Sequence, residues 1–188
     1  KSKYPPDRIE VLLGSDASTD ETNEIVKLSQ QKYHSLYLEF FHRRTGKSGV
    51  VNKLVSLAQN PILLLTDANI LLHPDAIFEI IKHFKNPEIA LVDSNMKHIG
   101  LKKEGISRQE QTYIKKEVDI KNAEGKIWGS MIGPFGGCYA VRKSYYSEVP
   151  ANSLVDDFYI NMKVLEKGGK TINEKKMGRY INFCCWGD

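Results

Sequence analysis

Carboxylate and amide side chains follow an apolar segment near the middle of this chain. The segment 62–66 (ILLLT) is followed directly by Asp67, Ala68 and Asn69. Open α/β sheets bind ligands at the carboxyl ends of their strands. Asp67 and Asn69 offer the oxygen atoms that Mg²⁺ or Mn²⁺ prefers, and such a cation would in turn hold phosphates. The structural alternative is an aspartate that only caps the next turn.

A second pair of carboxylates, Asp156 and Asp157, stands at the start of a predicted helix. Two like charges this close can raise the pKa of one carboxyl toward neutrality, which suits a general base. A favourable interaction with the helix dipole is a sufficient structural reason for the same pair. The glycine-rich segment 133–137 indicates either a close approach of the backbone to a ligand or a plain turn.

Two polar segments in the first third of the chain could meet a nucleotide. Asp16 offers an acceptor for a base N–H or a ribose hydroxyl, while Ser18 with Glu21 forms a capping box that predicts a helix start. Lys47, in the predicted loop 46–49, could contact a phosphate, although most lysines are simply solvated. A P-loop is excluded, because Phe41 stands where that motif needs its first glycine.

The pattern of apolar residues places these side chains between alternating strands and helices in the first half. Such β-α-β-α-β spacing is typical of a parallel, doubly wound sheet. The second half is less regular. Predicted strands are 9–13 (ended by Gly14), 36–41, 62–66, 89–92, 138–141 and a short 171–172; predicted helices are 19–33, one starting near 50, one opened by Pro74, 108–123 and 156–166.

Length and composition limit the class of protein. The chain has 188 residues, a net charge of +4, 41% hydrophobic and 27% charged residues, which indicates one globular domain. Its basic residues are scattered and do not reach the density typical of nucleic-acid binding. Its apolar runs are too short to span a membrane. An odd count of three cysteines favours a reducing compartment.

The motifs together are more specific than any one of them. In chain order they read SDASTDET, RRTGKSGVVNKL, LLLTDANILLHPDAI, GPFGGCYAVRK and VDDF. The chain resembles family 2 glycosyltransferases, which include cellulose-synthase-like, hyaluronan and capsule enzymes, and in particular a subgroup with Asp-Ala-Asn and Asp-Asp-Phe motifs. The resemblance covers residues 4–174. It implies the GT-A fold, an α/β fold with a Rossmann-like, mostly parallel sheet flanked by helices, here lacking the family's first strand.

The resemblance also implies roles for most of the candidate residues. Residues 1–188 would form a single catalytic domain, a fragment of a longer protein, with a nucleotide-sugar-binding half at 1–95 and an acceptor-binding half at 96–188. Trp128 could be a platform on which an acceptor stacks, and the structural alternative is a residue that packs against the rest of the protein. The roles implied by the resemblance are base catalysis for Asp157 with Asp156, nucleotide binding for Asp16, Lys47 and Asp67, metal binding for Asp67 and Asn69, and contact with donor sugar or acceptor for Gly136 and Gly137. From their own positions and chemistry, Ser18 is added to the candidate nucleotide-binding residues and Trp128 to the candidate acceptor residues.

The implied activity is inverting transfer of a sugar from a nucleotide-sugar, most often a UDP-sugar, to an acceptor hydroxyl. Mn²⁺ or Mg²⁺ would be the cofactor, a glycan or lipid-linked molecule the acceptor, and polysaccharide or glycan synthesis the setting. The resemblance implies a cytoplasmic location, including the cytoplasmic face of a membrane, and leaves open membrane association through segments outside this chain. No nucleic-acid partner is expected.

Asn69 departs from the family pattern, because most relatives carry an aspartate at this position. A neutral amide predicts weaker metal affinity. It also keeps open a second hypothesis, a catalytically silent domain of the same fold that binds a nucleotide or a partner. A third, a nucleotidyltransferase, shares the sheet architecture but does not explain the motif that contains Asp157 and Phe158.

Overall fold

The computed structural model describes residues 2–99 and 106–182, within which helices pack against two β-sheets. The α/β class predicted from the sequence is confirmed. The strands are β1 Val11–Asp16, β2 Leu36–Phe41, β3 Ile62–Thr66, β4 Ile70–Leu71, β5 Ile89–Ile99, β6 Cys138–Arg142 and β7 Lys170–Asn182; the helices are α1 Thr22–Lys32, α2 Gly46–Leu57, α3 Ala76–Ile81, α4 Ile106–Ile127 and α5 Asp156–Glu166.

Two sheets form from these strands. Strands β1 and β2 pair in parallel, and a five-stranded sheet has the order β3-β6-β5-β7-β4. Within the larger sheet β5 and β7 are parallel, and β6 runs antiparallel to both β3 and β5. Most of the paired residues lie in the two parallel pairings, as predicted. Because β6 inserts between β3 and β5, the larger sheet joins the two halves of the chain.

Strand β6 lies at the centre of the hydrophobic core and is covered on both faces. Tyr139 and Val141 belong to one buried cluster, which α5 covers with Ile160. Cys138 and Ala140 belong to a second cluster on the opposite face, which includes α3. This alternation follows from the two-residue period of a strand, and burial on both faces explains why residues 138–141 carry no charged side chain.

Gly14 does not end the first strand, contrary to the prediction. Strand β1 continues through Gly14 to Asp16. A Cβ atom on Gly14 would lie 2.2 Å from Cγ1 of Val50, so the missing side chain lets α2 pack closely against β1. The glycine is therefore a packing position inside the strand, and Asp16 is the last strand residue.

The starts of α1 and α2 also differ from the prediction. Helix α1 begins at Thr22, and the N–H of Thr22 donates to Asp20 Oδ1 at 3.1 Å, so the predicted Ser18 capping box is wrong. The segment 46–49 is the first turn of α2 and not a loop. Asp16 accepts hydrogen bonds from Thr45 and Gly46 at this helix start, as described below.

Strands β5 and β7 are much longer than predicted, and β4 was missed. Both long strands extend into polar and charged residues, with pairs such as Asp93 with Asn173 and Ser94 with Glu174. The ladder is formed by backbone groups, so it does not require the apolar side chains by which the strands were predicted.

Among the described residues, no helix combines the length and the apolar character needed to cross a membrane.

Candidate functional site

Three chain segments meet at the ammonium group of Lys47. Lys47 lies in the first turn of α2, Asp67 directly follows β3, and Asp156 is the first residue of α5. Lys47 Nζ is 3.3 Å from Asp67 Oδ1 and 3.3 Å from Asp156 Oδ1. Partial burial lowers the pKa of Lys47, but the two carboxylates raise it more, so the net shift is upward and the ammonium is retained. The structure thus brings together three residues predicted separately.

Asp157 lies beside this cluster, against the glycine-rich segment. The N–H of Phe158 donates to Asp157 Oδ1 at 2.7 Å. A Cβ atom on Gly136 would lie 2.0 Å from Asp157 Oδ2, so only glycine leaves room for this carboxylate. Burial and the charge of Asp156 raise the pKa of Asp157, while the Phe158 N–H and Lys47 counteract that rise only in part. A half-buried carboxyl with a raised pKa is suited to accept a proton.

The glycine-rich segment is held by polar side chains that the sequence analysis missed. Lys121, buried in α4, donates to the carbonyl oxygens of Ile132 and Gly133. Asn161 Oδ1 accepts the N–H of Gly133 at 3.0 Å, and Glu124 Oε2 accepts that of Ile132 at 3.0 Å. Asn161 stands one helical turn after Asp157, and this spacing was the available signal that the two share a face of α5.

Asp16 is the last residue of β1, and Ser18 lies in the loop that follows. Asp16 Oδ1 accepts the Thr45 N–H at 2.7 Å and the Thr45 hydroxyl at 2.9 Å, and its Oδ2 accepts the Gly46 N–H at 2.9 Å. These bonds, the Thr45 N–H first, hold the pKa of Asp16 below its usual value. Asp16 therefore organises the turn that carries Lys47. The Ser18 carbonyl oxygen accepts a hydrogen bond from Asn23 Nδ2, in the first turn of α1, at 3.3 Å.

The remaining predicted residues lie around the cluster at different depths. The Gly137 carbonyl accepts the N–H of Asp67 at 3.1 Å, which fixes the end of β3 beside the glycine-rich segment. Asn69 is exposed in the turn between β3 and β4. Trp128, just after α4, is 67% exposed, which excludes the packing alternative for most of its ring.

A buried phenol that the sequence analysis missed lies beneath the carboxylates. Tyr139, in β6, is 2% exposed, and its hydroxyl has no hydrogen-bond partner within the described part of the chain. Burial raises the pKa of Tyr139, with further contributions from Asp156 and Asp157. The phenol therefore stays neutral, and its proton remains available to a water molecule or a ligand oxygen.

The resemblance implies a divalent cation, and the side chains around Asp67 determine whether one can bind. Within the described residues, no three His, Cys, Asp or Glu side chains converge on a point that could hold a metal ion. Mg²⁺ commonly needs only one or two protein carboxylates when substrate phosphates supply further oxygens. The side chain of Asp67 is 44% exposed and therefore open to such an ion. These residues fit a cation that arrives together with a diphosphate, with Asp67 as the carboxylate ligand.

Solved structures share this architecture, and one of them is a mannosyltransferase. The mannosyltransferase PcManGT from Pyrobaculum calidifontis, in complex with GDP-Man and Mn²⁺, superposes with a TM-score of 0.81 at 21% identity, covering 99% of this chain and 51% of that one. TarS of S. aureus has a TM-score of 0.71 at 13% identity, covering 96% of this chain and 53% of that one. The predicted GT-A fold is thereby confirmed.

Sequence comparison points to the same kind of protein. The beta-monoglucosyldiacylglycerol synthase of Synechocystis sp. is 33% identical over 89 residues, which are 45% of this chain and 18% of that protein. The chain spans about half the length of the structural relatives it matches. Residues 1–149 match the profile of Glycosyl transferase family 2. This match extends over most of the chain, and the chain therefore belongs to glycosyl transferase family 2.

Proposed function

We propose that this domain transfers a sugar from a nucleotide-sugar, in the first instance a UDP-sugar, to an acceptor hydroxyl with inversion at the anomeric carbon. The single observation that carries the proposal is the convergence of Lys47, Asp67 and Asp156 where α2 begins, β3 ends and α5 begins, with Asp157 next to Asp156 in the first turn of α5. A cationic group and a cation-binding carboxylate suit a diphosphate, and a second carboxyl with a raised pKa suits a base.

In this mechanism each residue has one task. Asp157 takes the proton from the acceptor hydroxyl as its oxygen attacks the anomeric carbon, and it needs its deprotonated form to do so. Lys47 contacts the diphosphate leaving group, and Asp67 would hold a divalent cation, which would neutralise charge on that group when bound. Asp156 keeps Lys47 in place, since Lys47 Nζ lies 3.3 Å from its carboxylate. A single displacement of this kind inverts the configuration at the anomeric carbon.

The donor and acceptor regions follow the two halves of the chain. Asp16, Ser18, Lys47 and Asp67 lie in 1–95, which we assign to the nucleotide-sugar. Gly136, Gly137 and Trp128 lie in 96–188, which we assign to the transferred sugar and the acceptor. The exposed indole of Trp128 offers a flat apolar surface for a sugar ring of a glycan or lipid-linked acceptor. Asn69, exposed beside Asp67, serves at most as a neutral oxygen ligand to the cation.

The relatives support a nucleotide-sugar donor, but they differ in the nucleotide, which must therefore be measured. PcManGT was solved with GDP-Man and Mn²⁺, and TarS with UDP-GlcNAc. The test is calorimetric titration of UDP and GDP, each with and without Mn²⁺, into the protein and its Asp67→Ala variant. We expect Mn²⁺-dependent binding of UDP that Asp67→Ala removes. Stronger binding of GDP would correct the donor, and no binding of either nucleotide to folded protein would favour the silent domain.

The assignment of the base is tested separately. Asp157→Asn keeps the shape of the side chain but cannot accept the proton, so transfer should fall by at least a hundredfold. Nucleotide binding by calorimetry should stay within about threefold, because Asp157 is assigned no contact with the nucleotide. Transfer that survives Asp157→Asn would show that another group is the base.

A further inference from the structure

The position of Lys47 bears on how a divalent cation reaches Asp67. The Lys47 ammonium is shared between two carboxylates, with 3.3 Å to one oxygen of each. The Asp156 side chain is 12% exposed and that of Asp67 is 44% exposed. The ammonium is therefore anchored on its buried side by Asp156, whereas its contact with Asp67 faces solvent.

A divalent cation that approaches Asp67 by itself meets this ammonium. Two positive charges would then share one carboxylate within a few ångströms, and such repulsion is weakened only in part at a half-exposed site. Lys47 has a flexible four-carbon stem, and its side chain is 56% exposed. It can leave Asp67 without a backbone movement, provided that another anion offers its charge a partner.

We propose that Lys47 and the divalent cation are alternative partners of Asp67, and that the diphosphate of the donor exchanges one for the other. The Lys47 ammonium turns from Asp67 to the diphosphate and keeps its contact with Asp156. Asp67 then becomes available to the cation that the same diphosphate carries. This proposal rests on the proposed function, since it concerns the same donor site.

The exchange makes binding of cation and nucleotide mutually dependent. Without a nucleotide, Lys47 opposes the cation; with one, Lys47 is drawn away from Asp67. By linkage, the cation must raise nucleotide affinity by the same factor by which the nucleotide raises cation affinity. Removing the ammonium should therefore strengthen binding of the cation alone and reduce this mutual factor.

The test measures Mn²⁺ binding to the protein from the loss of the electron paramagnetic resonance signal of free Mn²⁺, after subtraction of the loss that the nucleotide alone causes. Titrations compare the wild-type protein with Lys47→Met, each with and without UDP or GDP. Without nucleotide, Lys47→Met should bind Mn²⁺ roughly five- to tenfold more tightly, at the lower end of usual coupling factors. The enhancement of Mn²⁺ affinity by nucleotide should shrink by a similar factor.

Lys53→Met is the matched control. Lys53 lies on the same helix, its side chain is 47% exposed, and its contact is with Glu39 at 4.0 Å, away from Asp67. Its removal changes net charge equally and should alter Mn²⁺ affinity by less than about twofold. Adding Asp67→Ala to Lys47→Met should remove the gain.

Two results would overturn the exchange. One is Mn²⁺ affinity without nucleotide that is unchanged or weaker in Lys47→Met; the other is an equal gain in Lys53→Met. If nucleotide with Mn²⁺ still binds the wild-type protein in either case, only the exchange is wrong. If the wild-type protein binds neither nucleotide with Mn²⁺, the proposed function is wrong and the exchange with it.

Discussion

At the scale of single residues, the position of the Asp157 carboxylate depends on the absence of a side chain at Gly136. Both Asp157 and Gly136 were singled out from the sequence, one as a carboxylate at a helix start and the other as part of a glycine-rich segment. Their contact was not predictable, because it joins residues from different elements. The structure places the Asp157 carboxylate in the position that a side chain at Gly136 would occupy.

Gly136→Ala should therefore displace the proposed base. Gly136 has φ +79°, and its new Cβ would lie 2.0 Å from Asp157 Oδ2. We expect kcat to fall by at least tenfold with little change in nucleotide affinity, measured by transfer kinetics and calorimetry. The displaced carboxylate should lose its position even where the fold survives.

Gly129→Ala separates this effect from backbone strain. Gly129 has a similar φ of +74°, but a Cβ there meets nothing within 4 Å. It should cost about 1–2 kcal/mol of stability through the left-handed backbone and leave kcat nearly unchanged. Equal losses of kcat in both variants would mean that strain, and not contact with Asp157, explains the result for Gly136→Ala.

At the scale of secondary-structure elements, local signals were sufficient for some elements and not for others. Strands β2 and β3 and helix α5 have their predicted bounds, because an apolar run or a capped amphipathic segment defines each of them. The predicted start of α2 was wrong. The helix begins where Asp16 binds Thr45, and Asp16 lies 29 residues before Thr45 in the sequence. A contact over such a distance leaves no periodic pattern in the sequence.

Asp16→Asn should weaken the attachment of α2 to β1. The folded state lowers the pKa of Asp16 through the Thr45 N–H and the other donors of that turn. A carboxyl with a depressed folded pKa contributes stability above its unfolded value of 3.8, and the contribution is lost as pH falls through the folded pKa. The variant should thus have a lower urea midpoint at pH 7, and the difference should shrink below pH 3.8.

Asp20→Asn is the control for Asp16→Asn. Asp20 accepts the N–H of Thr22, the first residue of α1 and only two residues away, so this bond is local to the start of one helix. Its urea midpoint at pH 7 should fall less than that of Asp16→Asn. A larger fall for Asp20→Asn, or a difference for Asp16→Asn that grows as pH falls, would contradict the role assigned to Asp16.

At the scale of the whole molecule, the two halves of the chain, 1–95 and 96–188, are joined by one sheet. Strand β6 pairs with β3 and β5, so the sheet crosses the boundary near residue 95. A second connection runs from Asn52 in α2 to the segment after β6. Asn52 Nδ2 donates to the Val149 carbonyl, and Asn52 Oδ1 accepts the Val149 N–H and the Tyr146 hydroxyl.

Asn52→Ala should therefore destabilise both halves together. It removes three hydrogen bonds and leaves their partners partly buried, which should cost about 2–4 kcal/mol in urea unfolding. Tyr146→Phe removes one of the three, and should cost about 1 kcal/mol. Because the sheet is continuous, tryptophan fluorescence and far-UV circular dichroism should still report one coincident transition. Two separate transitions in Asn52→Ala would instead show that the halves fold independently, with Asn52 as a link between them.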